Sequence, residues 1–217
     1  MRLSDYVIEF LRDKYEVDTF FTVSGGGCIF LIDSLGSIDG INYVATHHEQ
    51  AAGIAAEGYA RMNNKLGACI VTSGPGGTNA ITGTLCSWLD SIPVIYISGQ
   101  VNKEMTTSYT NLPLRQLGDQ EFNIVESVKN MTKYAVQVND PSEIRYHLEK
   151  ACHLATTGRP GPVWIDIPLN VQSAQIEVDS LNPYLGPFEI TPTPTEQQIK
   201  KVIDQWSKAK NPLMIVG

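Results

Sequence analysis

Short apolar runs alternate with helical periodicities along most of this chain. Tyr6, Val7, Phe10 and Leu11 recur at helical spacing within Leu3 to Lys14, behind Ser4 as a cap, which predicts an opening helix with one buried stripe. A strand follows at Thr19 to Val23. The triplet Gly25-Gly26-Gly27 breaks the pattern, a short helix resumes over Ile29 to Leu35, and Ile41 to Thr46 reads as the next strand. Helix Gln50 to Met62, strand Leu66 to Thr72, helix Asn79 to Leu89 and strand Pro93 to Ser98 continue the rhythm, the strands being short apolar runs of the kind buried on both faces. Parallel crossovers are the natural connection between them.

Gln100 to Gly118 is long and polar, and a connection of this kind inside a compact domain is usually functional or mobile. Beyond it the pattern predicts a short helix over Glu121 to Val128, a strand over Tyr134 to Val138, and a helix over Ser142 to Thr156 introduced by Asp140-Pro141. Gly158-Arg159-Pro160-Gly161-Pro162 forces a turn, with Arg159 placed to cap the preceding helix, and delivers a last strand, Val163 to Ile167, ending at Pro168. Strands and helices alternating in this way argue for an α/β fold, an open, doubly wound and mostly parallel sheet flanked by helices.

After Asn170 the rhythm stops. Pro183, Pro187, Pro192 and Pro194 mark an interdomain linker. Thr195 with Gln198 makes a capping box for a helix to about Ala209, and Pro212 to Gly217 reads as one more buried strand. Such a strand has no sheet of its own to join, so the expected organisation is a domain over 1–172, a linker over 173–194, and over 195–217 the start of a central domain that has been cut away or is supplied by another polypeptide.

At 217 residues the chain accommodates one good-sized domain plus a fragment, and 42% hydrophobic with 18% charged residues is an ordinary globular composition. A net charge of -7 with scattered basic residues argues against a nucleic-acid partner. The amino terminus runs directly into an amphipathic pattern with no uninterrupted apolar region, so neither a signal peptide nor a membrane span is expected and a cytoplasmic location is the default. Cys28, Cys69, Cys86 and Cys152 lack metal-binding or disulfide spacing and read as buried thiols, while His47 and His48 are adjacent and diverge, so no metal site is expected.

Candidate chemistry begins at Glu49, where a strand ends and a helix starts, the edge at which open α/β sheets bind ligands. Six small residues between Ala51 and Gly58 leave the following helix almost bald, open to another helix or to a flat ligand. A carboxyl enclosed by small and apolar groups exchanges a proton near neutrality, which suits an acid-base role; the plainer alternative is that Glu49 only favours the helix amino terminus. Thr72-Ser73-Gly74-Pro75-Gly76-Gly77-Thr78-Asn79 is a glycine-rich turn between strand and helix that lets a ligand touch main chain, or is merely a tight connection. It is neither a Walker loop nor a dinucleotide fingerprint, since no Gly-Lys-Ser/Thr follows and Asn79 stands at the third glycine position. Asp90-Ser91-Ile92-Pro93 leads to Ser98-Gly99-Gln100 at the same edge.

Together these strings resemble the amino-terminal domain of thiamine-diphosphate enzymes of the acetolactate synthase and pyruvate oxidase group. The resemblance rests on His48 to Gln50, Glu57 to Arg61, Thr72 to Gly76, Thr78-Asn79, Asp90 to Pro93, Gly99 to Val101, Gly158 to Val163 and Asp166 to Pro168, in order from Met1 to about Gln172. It implies a 2-keto-acid carboligase or decarboxylase, most like acetolactate synthase, a transferase of branched-chain amino acid biosynthesis that uses pyruvate. Glu49 would then bond the ring nitrogen of the cofactor's aminopyrimidine, drive it to the imino tautomer and so generate the thiazolium ylid. Gly25 and Gly26 would bring backbone to that ring, Thr72, Pro75 and Asn79 would line it, and Gln120, of the pair Gln120-Glu121, would lie near substrate.

The resemblance further implies that thiamine diphosphate is bound with Mg2+ held by a domain absent from this chain, because the Gly-Asp-Gly to Asn motif is missing; a flavin is compatible with the complete enzyme. In the family the site forms between subunits, so a homodimer or tetramer is implied and this chain alone is expected to be inactive. Two departures face substrate: Val23-Ser24-Gly25-Gly26 replaces Tyr-Pro-Gly-Gly, and Asp119 replaces Phe. They are compatible with a different 2-keto acid. A non-catalytic binding or regulatory module retaining the fold is the alternative, which the presence of Glu49 disfavours, and a nucleotide-binding domain lacks its phosphate fingerprint.

Overall fold

In the computed structural model, which describes residues 1–110, 112–187 and 192–215, Thr19–Thr22 (β1), Asn42–Ala45 (β2), Gly67–Val71 (β3), Val94–Gln100 (β4), Tyr134–Gln137 (β5) and Val163–Pro168 (β6) form one sheet. Every pairing is parallel, and the order across the sheet is β2-β1-β3-β4-β6-β5. β3, β4 and β6 are buried at every position, as continuous apolar runs in a two-sided parallel sheet must be. β2 is an edge strand and exposed throughout.

The helices are Leu3–Tyr15 (α1), Ile29–Ser37 (α2), Glu49–Asn63 (α3), Pro75–Asn79 (α4), Ile81–Leu89 (α5), Thr107–Thr110 (α6), Ile124–Val128 (α7), Ile144–Thr156 (α8), Leu169–Gln172 (α9) and Glu196–Lys208 (α10). One core gathers α1, α2 and α8 on one face of the sheet through Leu11, Leu31 and Leu148, and a second gathers α3 and α7 on the other through Ala52, Ala56 and Ile124. The face switches with the direction of travel. The chain crosses by α2 and α8 when it moves toward β2 or back from β5 to β6, and by α3, α5 and α7 when it moves the other way. A constant crossover handedness produces this double winding.

Four local expectations are corrected. Leu3 already begins α1, its N–H donating to Ala174 O at 2.9 Å, with Arg2 at the cap position; the Ser4 hydroxyl is buried inside the first turn without a partner and caps nothing. The helix expected over Asn79 to Leu89 is two helices, because Pro75 is accepted at a first helical position and starts α4 earlier, and Ala80 turns back on Gly77 O between the two. Arg159 does not cap α8: its Nε donates to Ser91 Oγ at 2.7 Å, and Lys133 Nζ instead donates to the carbonyls of Thr157 and Arg159, both at 2.7 Å.

The strand expected over 212–217 does not form in the described part, 212–215, where Leu213 and Ile215 are exposed; 216 and 217 lie outside the described residues. A strand satisfies its backbone only in a ladder, and none is offered there. The capping box of Thr195 and Gln198 is present at the start of α10, whose apolar residues Ile199, Val202, Ile203 and Trp206 are exposed. Upstream, Ser173 to Tyr184 runs back along the domain, with Ile176 N–H on Met1 O and Ile176, Leu181 and Tyr184 buried.

Candidate functional site

β1 and β3 are neighbours whose onward connections leave in opposite directions, β1 toward β2 and β3 toward β4. Their carboxyl ends therefore open a crevice of the kind in which α/β sheets bind ligands. Both glycine-rich turns enter it, Gly25 to Gly27 after β1 and Thr72 to Asn79 after β3.

Thr72 is the spacer between the two turns. A methyl group on Gly25 would come within 2.6 Å of Thr72 Cβ, and one on Gly76 within 2.6 Å of Thr72 Cγ2, so both backbones touch this side chain. Thr72 Oγ1 accepts from Gly27 N at 3.0 Å, tying the first turn to the second. Gly26 is different. It is exposed and has no heavy atom within 4 Å of where a side chain would start. Packing does not require glycine there.

Glu49 opens α3 and is held only 9% exposed in this crevice. His48 Nδ1 accepts from Gln50 N at 3.1 Å and so caps the helix, while Glu49 lies in the first turn, where its charge also suits the helix dipole. Asn79, the last residue of α4, donates from Nδ2 to Glu49 Oε2 at 2.9 Å, while Oε1 lies 3.4 Å from where a side chain on Gly76 would begin. The bald stretch of α3 meets another helix: a methyl group on Gly83 of α5 would sit 2.9 Å from the Gly53 carbonyl carbon. The small residues thus bring two backbones together and fix the pitch at which Glu49 enters the crevice.

Gln120 reaches the crevice from the polar excursion. Gly74 adopts φ 55° and ψ -116°, and a methyl group there would come 2.1 Å from Gln120 O. Gln120 itself has φ 54°. A cavity of about 330 Å³ lies between Pro75 and Thr78 on one side and Gln116, Gln120 and Phe122 on the other. Pro75, Asn79 and Gln120 are exposed, and Thr72 is half-buried. Of the residues expected at the site, Glu49, Thr72, Asn79 and Gly25 are joined by these contacts, with Gly76 added to them by the structure; Pro75 and Gln120 share the adjoining cavity, and Gly26 forms an open rim.

Two buried carboxylates, Glu121 and Asp166, stand in the sequence motifs with no role read from them. Glu121 fastens the excursion to itself: Oε1 accepts from Thr107 N at 3.1 Å and Thr107 Oγ1 at 3.0 Å, and Oε2 from Leu117 N at 3.3 Å. Asp166 lies inside the sheet, bonded by Ser98 Oγ at 2.5 Å, Gln137 Nε2 at 2.9 Å and Gln100 Nε2 at 3.3 Å, and its burial pushes it up to about 6 against these three donors. The signal was a charged residue in the middle of an apolar strand.

Residues 1–127 match the family described as thiamine pyrophosphate enzyme, N-terminal TPP binding domain. The chain belongs to this family. This TPP binding domain is also similar to curated relatives over nearly its whole length. It is 34% identical to the acetolactate synthase large subunit of Lactococcus lactis over 215 residues, covering 99% of this chain and 36% of that protein. It is 35% identical to the chloroplastic acetolactate synthase of Arabidopsis thaliana, covering 99% of this chain and 31% of the relative, and 34% identical to the mitochondrial catalytic subunit of Saccharomyces cerevisiae, covering 95% and 30%. The TPP binding domain and its flanking residues therefore span about a third of the length of these relatives. The six-stranded parallel sheet is the α/β architecture expected from the sequence. Among the described residues no helix is long and apolar enough to cross a membrane, and no group of three or more His, Cys, Asp or Glu side chains is placed to hold a metal.

Proposed function

We propose that this chain is the pyrimidine-binding part of a thiamine-diphosphate-dependent enzyme that joins or decarboxylates 2-keto acids, acetolactate formation from pyruvate being the favoured reaction. The observation that carries the proposal is Glu49, a shielded carboxylate with one oxygen held by Asn79 and the other against Gly76.

A flat heteroaromatic ring fits the residues present. The open rim at Gly26, the exposed Pro75 and the half-buried Thr72 offer backbone and apolar surface, and Glu49 offers a single hydrogen-bonding oxygen. Thiamine diphosphate, when bound, supplies a carbon nucleophile for the carbonyl of the keto acid. Glu49 would exchange a proton with a ring nitrogen through Oε1, and Asn79 would hold Oε2 so that the carboxylate cannot swing away. Gly25, Gly26, Thr72 and Pro75 would line the ring, and Gln120 would face substrate across the cavity beside Pro75. Val23, Ser24 and Asp119, which depart from the residues usual in the family, would bear on the choice of keto acid.

In this proposal residues 1–172 are the binding domain, 173–194 the linker and 195–217 the start of a central domain. Mg2+ and the diphosphate are held by a further domain. A homo-oligomer is proposed because Tyr43, Val44, Ile54, Leu85 and Leu89 present exposed apolar surface on β2, α3 and α5. A cytoplasmic location is proposed because all four cysteines are free, as in a reducing compartment. The test is turnover of pyruvate by the complete enzyme supplied with thiamine diphosphate and Mg2+. Acetolactate should form, and Glu49→Gln should slow turnover by about 10²- to 10⁴-fold, the range of acid-base assistance, with the cofactor still bound. An enzyme that binds the cofactor but turns over no 2-keto acid refutes the proposal.

A further inference from the structure

We propose that Asp166 is a positioning residue: it aims two glutamine amides, Gln100 and Gln137, at the strap of residues 103–110 and 112–122 and thereby holds Gln120 beside Pro75. The proposal deepens the function above and rests on it only for the nearness of Gln120 to substrate.

The register of the sheet builds the device. Asp166 on β6 stands opposite Ser98 on β4 and opposite Gln137 on β5, so three polar side chains form one row across three otherwise apolar strands. Trp164 Nε1, which can only donate, bonds Ser98 Oγ at 2.8 Å. The Ser98 hydrogen is therefore left for Asp166 Oδ1 at 2.5 Å, while the amide groups of Gln137 and Gln100 both donate to Oδ2, at 2.9 and 3.3 Å. Three donors converge, and an ionised carboxylate only accepts. With burial raising Asp166 to about 6, it is ionised at neutral pH.

An amide nitrogen aimed at Asp166 fixes the rest of its amide. The second Nε2 hydrogen of Gln100 reaches Phe122 O at 2.9 Å, and its Oε1 accepts from Val101 N at 3.1 Å. Gln137 Oε1 is turned to accept from Ser108 Oγ at 3.4 Å. The strap is thus tied at 108 and at 122, on both sides of Gln120, and Glu121 closes its middle through Thr107 and Leu117. Rotating either glutamine amide would present an oxygen to a carboxylate, so the tie has one orientation.

The experiment uses the complete enzyme, with pyruvate as the probe, and compares Asp166→Asn and Gln137→Leu with wild type. Asp166→Asn places an N–H against a donor while keeping the shape. It should raise KM for pyruvate about tenfold, the effect of one lost charge-assisted hydrogen bond, with kcat within about twofold. Amide hydrogen exchange over the strap should quicken by about tenfold, and exchange of the cofactor's C2 proton should be unchanged. Gln137→Leu, which leaves the buried carboxylate in place, should shift KM and strap exchange in the same direction by about threefold. Unchanged KM and unchanged strap exchange in both variants overturn the proposal, and so does a fall in kcat with KM unmoved, the mark of a merely structural role. If the enzyme does not use pyruvate, the function above falls, while strap exchange alone still decides the role of Asp166.

Discussion

Alanine at Gly74 and alanine at Gly26 should have opposite consequences, although both glycines lie in turns of the same crevice. Gly74 holds φ 55° with ψ -116°, away from the left-handed helical well near ψ of about +47°, and a residue with a Cβ pays roughly 1–3 kcal/mol to stay there. The new methyl would also lie 2.1 Å from Gln120 O. That oxygen belongs to backbone and cannot rotate aside, so the 116–122 turn must shift, at an overpacking cost of about 1–3 kcal/mol. Gly74→Ala should therefore destabilise the domain by about 2 to 6 kcal/mol. Gly26 has neither a positive φ nor any neighbour within 4 Å. Gly26→Ala should leave stability within about 0.5 kcal/mol, yet weaken cofactor binding about tenfold if its open rim is where the ring lies. Urea unfolding gives the first quantity from the shift of the midpoint at constant slope, and calorimetric titration of the complete enzyme with thiamine diphosphate gives the second. Gly74→Ala unfolding at the wild-type midpoint, or Gly26→Ala binding the cofactor as tightly as wild type, would refute the reasoning.

Asp166 gives a pH signature. Burial raises it from 3.8 to about 6, so between those values the folded domain holds a proton that the unfolded chain has lost, and stability from this group is present at acid pH and falls away as pH rises through about 6. The gap corresponds to about 3 kcal/mol in full, of which about 2 kcal/mol is lost between pH 4 and pH 6, so the stability of Asp166→Asn relative to wild type should rise by about 2 kcal/mol over that interval in urea unfolding; a parallel pair of curves contradicts this. Cysteine labelling tests the core. Burial pushes the Cys28 thiol up to about 11 and raises Cys69 and Cys152 as well, whereas Cys86 is only half-buried. Iodoacetamide at pH 8 without denaturant should modify Cys86 alone, read by peptide mass spectrometry, and labelled Cys69 or Cys152 would show that the sheet opens.

The order of elements was legible because buried parallel strands are written as continuous apolar runs, so Leu66 to Thr72 and Pro93 to Ser98 located β3 and β4 within a residue or two. Glu49 was legible for a related reason: it follows a strand and precedes a row of small residues whose baldness needs a close neighbour. Whether that neighbour was a helix or a ligand was not, since only the fold shows Gly83 meeting Gly53. The split between α4 and α5 was hidden because glycine-rich Pro75–Asn79 has no intrinsic wish to be helical and is held so by what surrounds it. Arg159 looked like a cap from its place in the chain, but Lys133, distant in sequence, reaches the carbonyls first. The row of Ser98, Asp166 and Gln137 was hidden most deeply, because cross-strand register joins residues whose sequence positions do not announce one another. Pro212 to Ile215 has the apolar pattern of a strand, but no strand among the described residues pairs with it.

The central claim is that Glu49 shares a proton with the cofactor's ring nitrogen and thereby labilises a proton on a distant ring carbon. Its most direct measurement is the rate at which the C2 proton of thiamine diphosphate, bound to the complete enzyme, exchanges with deuterium by quenched-flow NMR in wild type and in Glu49→Gln. A fall of about 10²- to 10⁴-fold at unchanged cofactor occupancy is the predicted result. Exchange at the wild-type rate in the Glu49→Gln enzyme would contradict it.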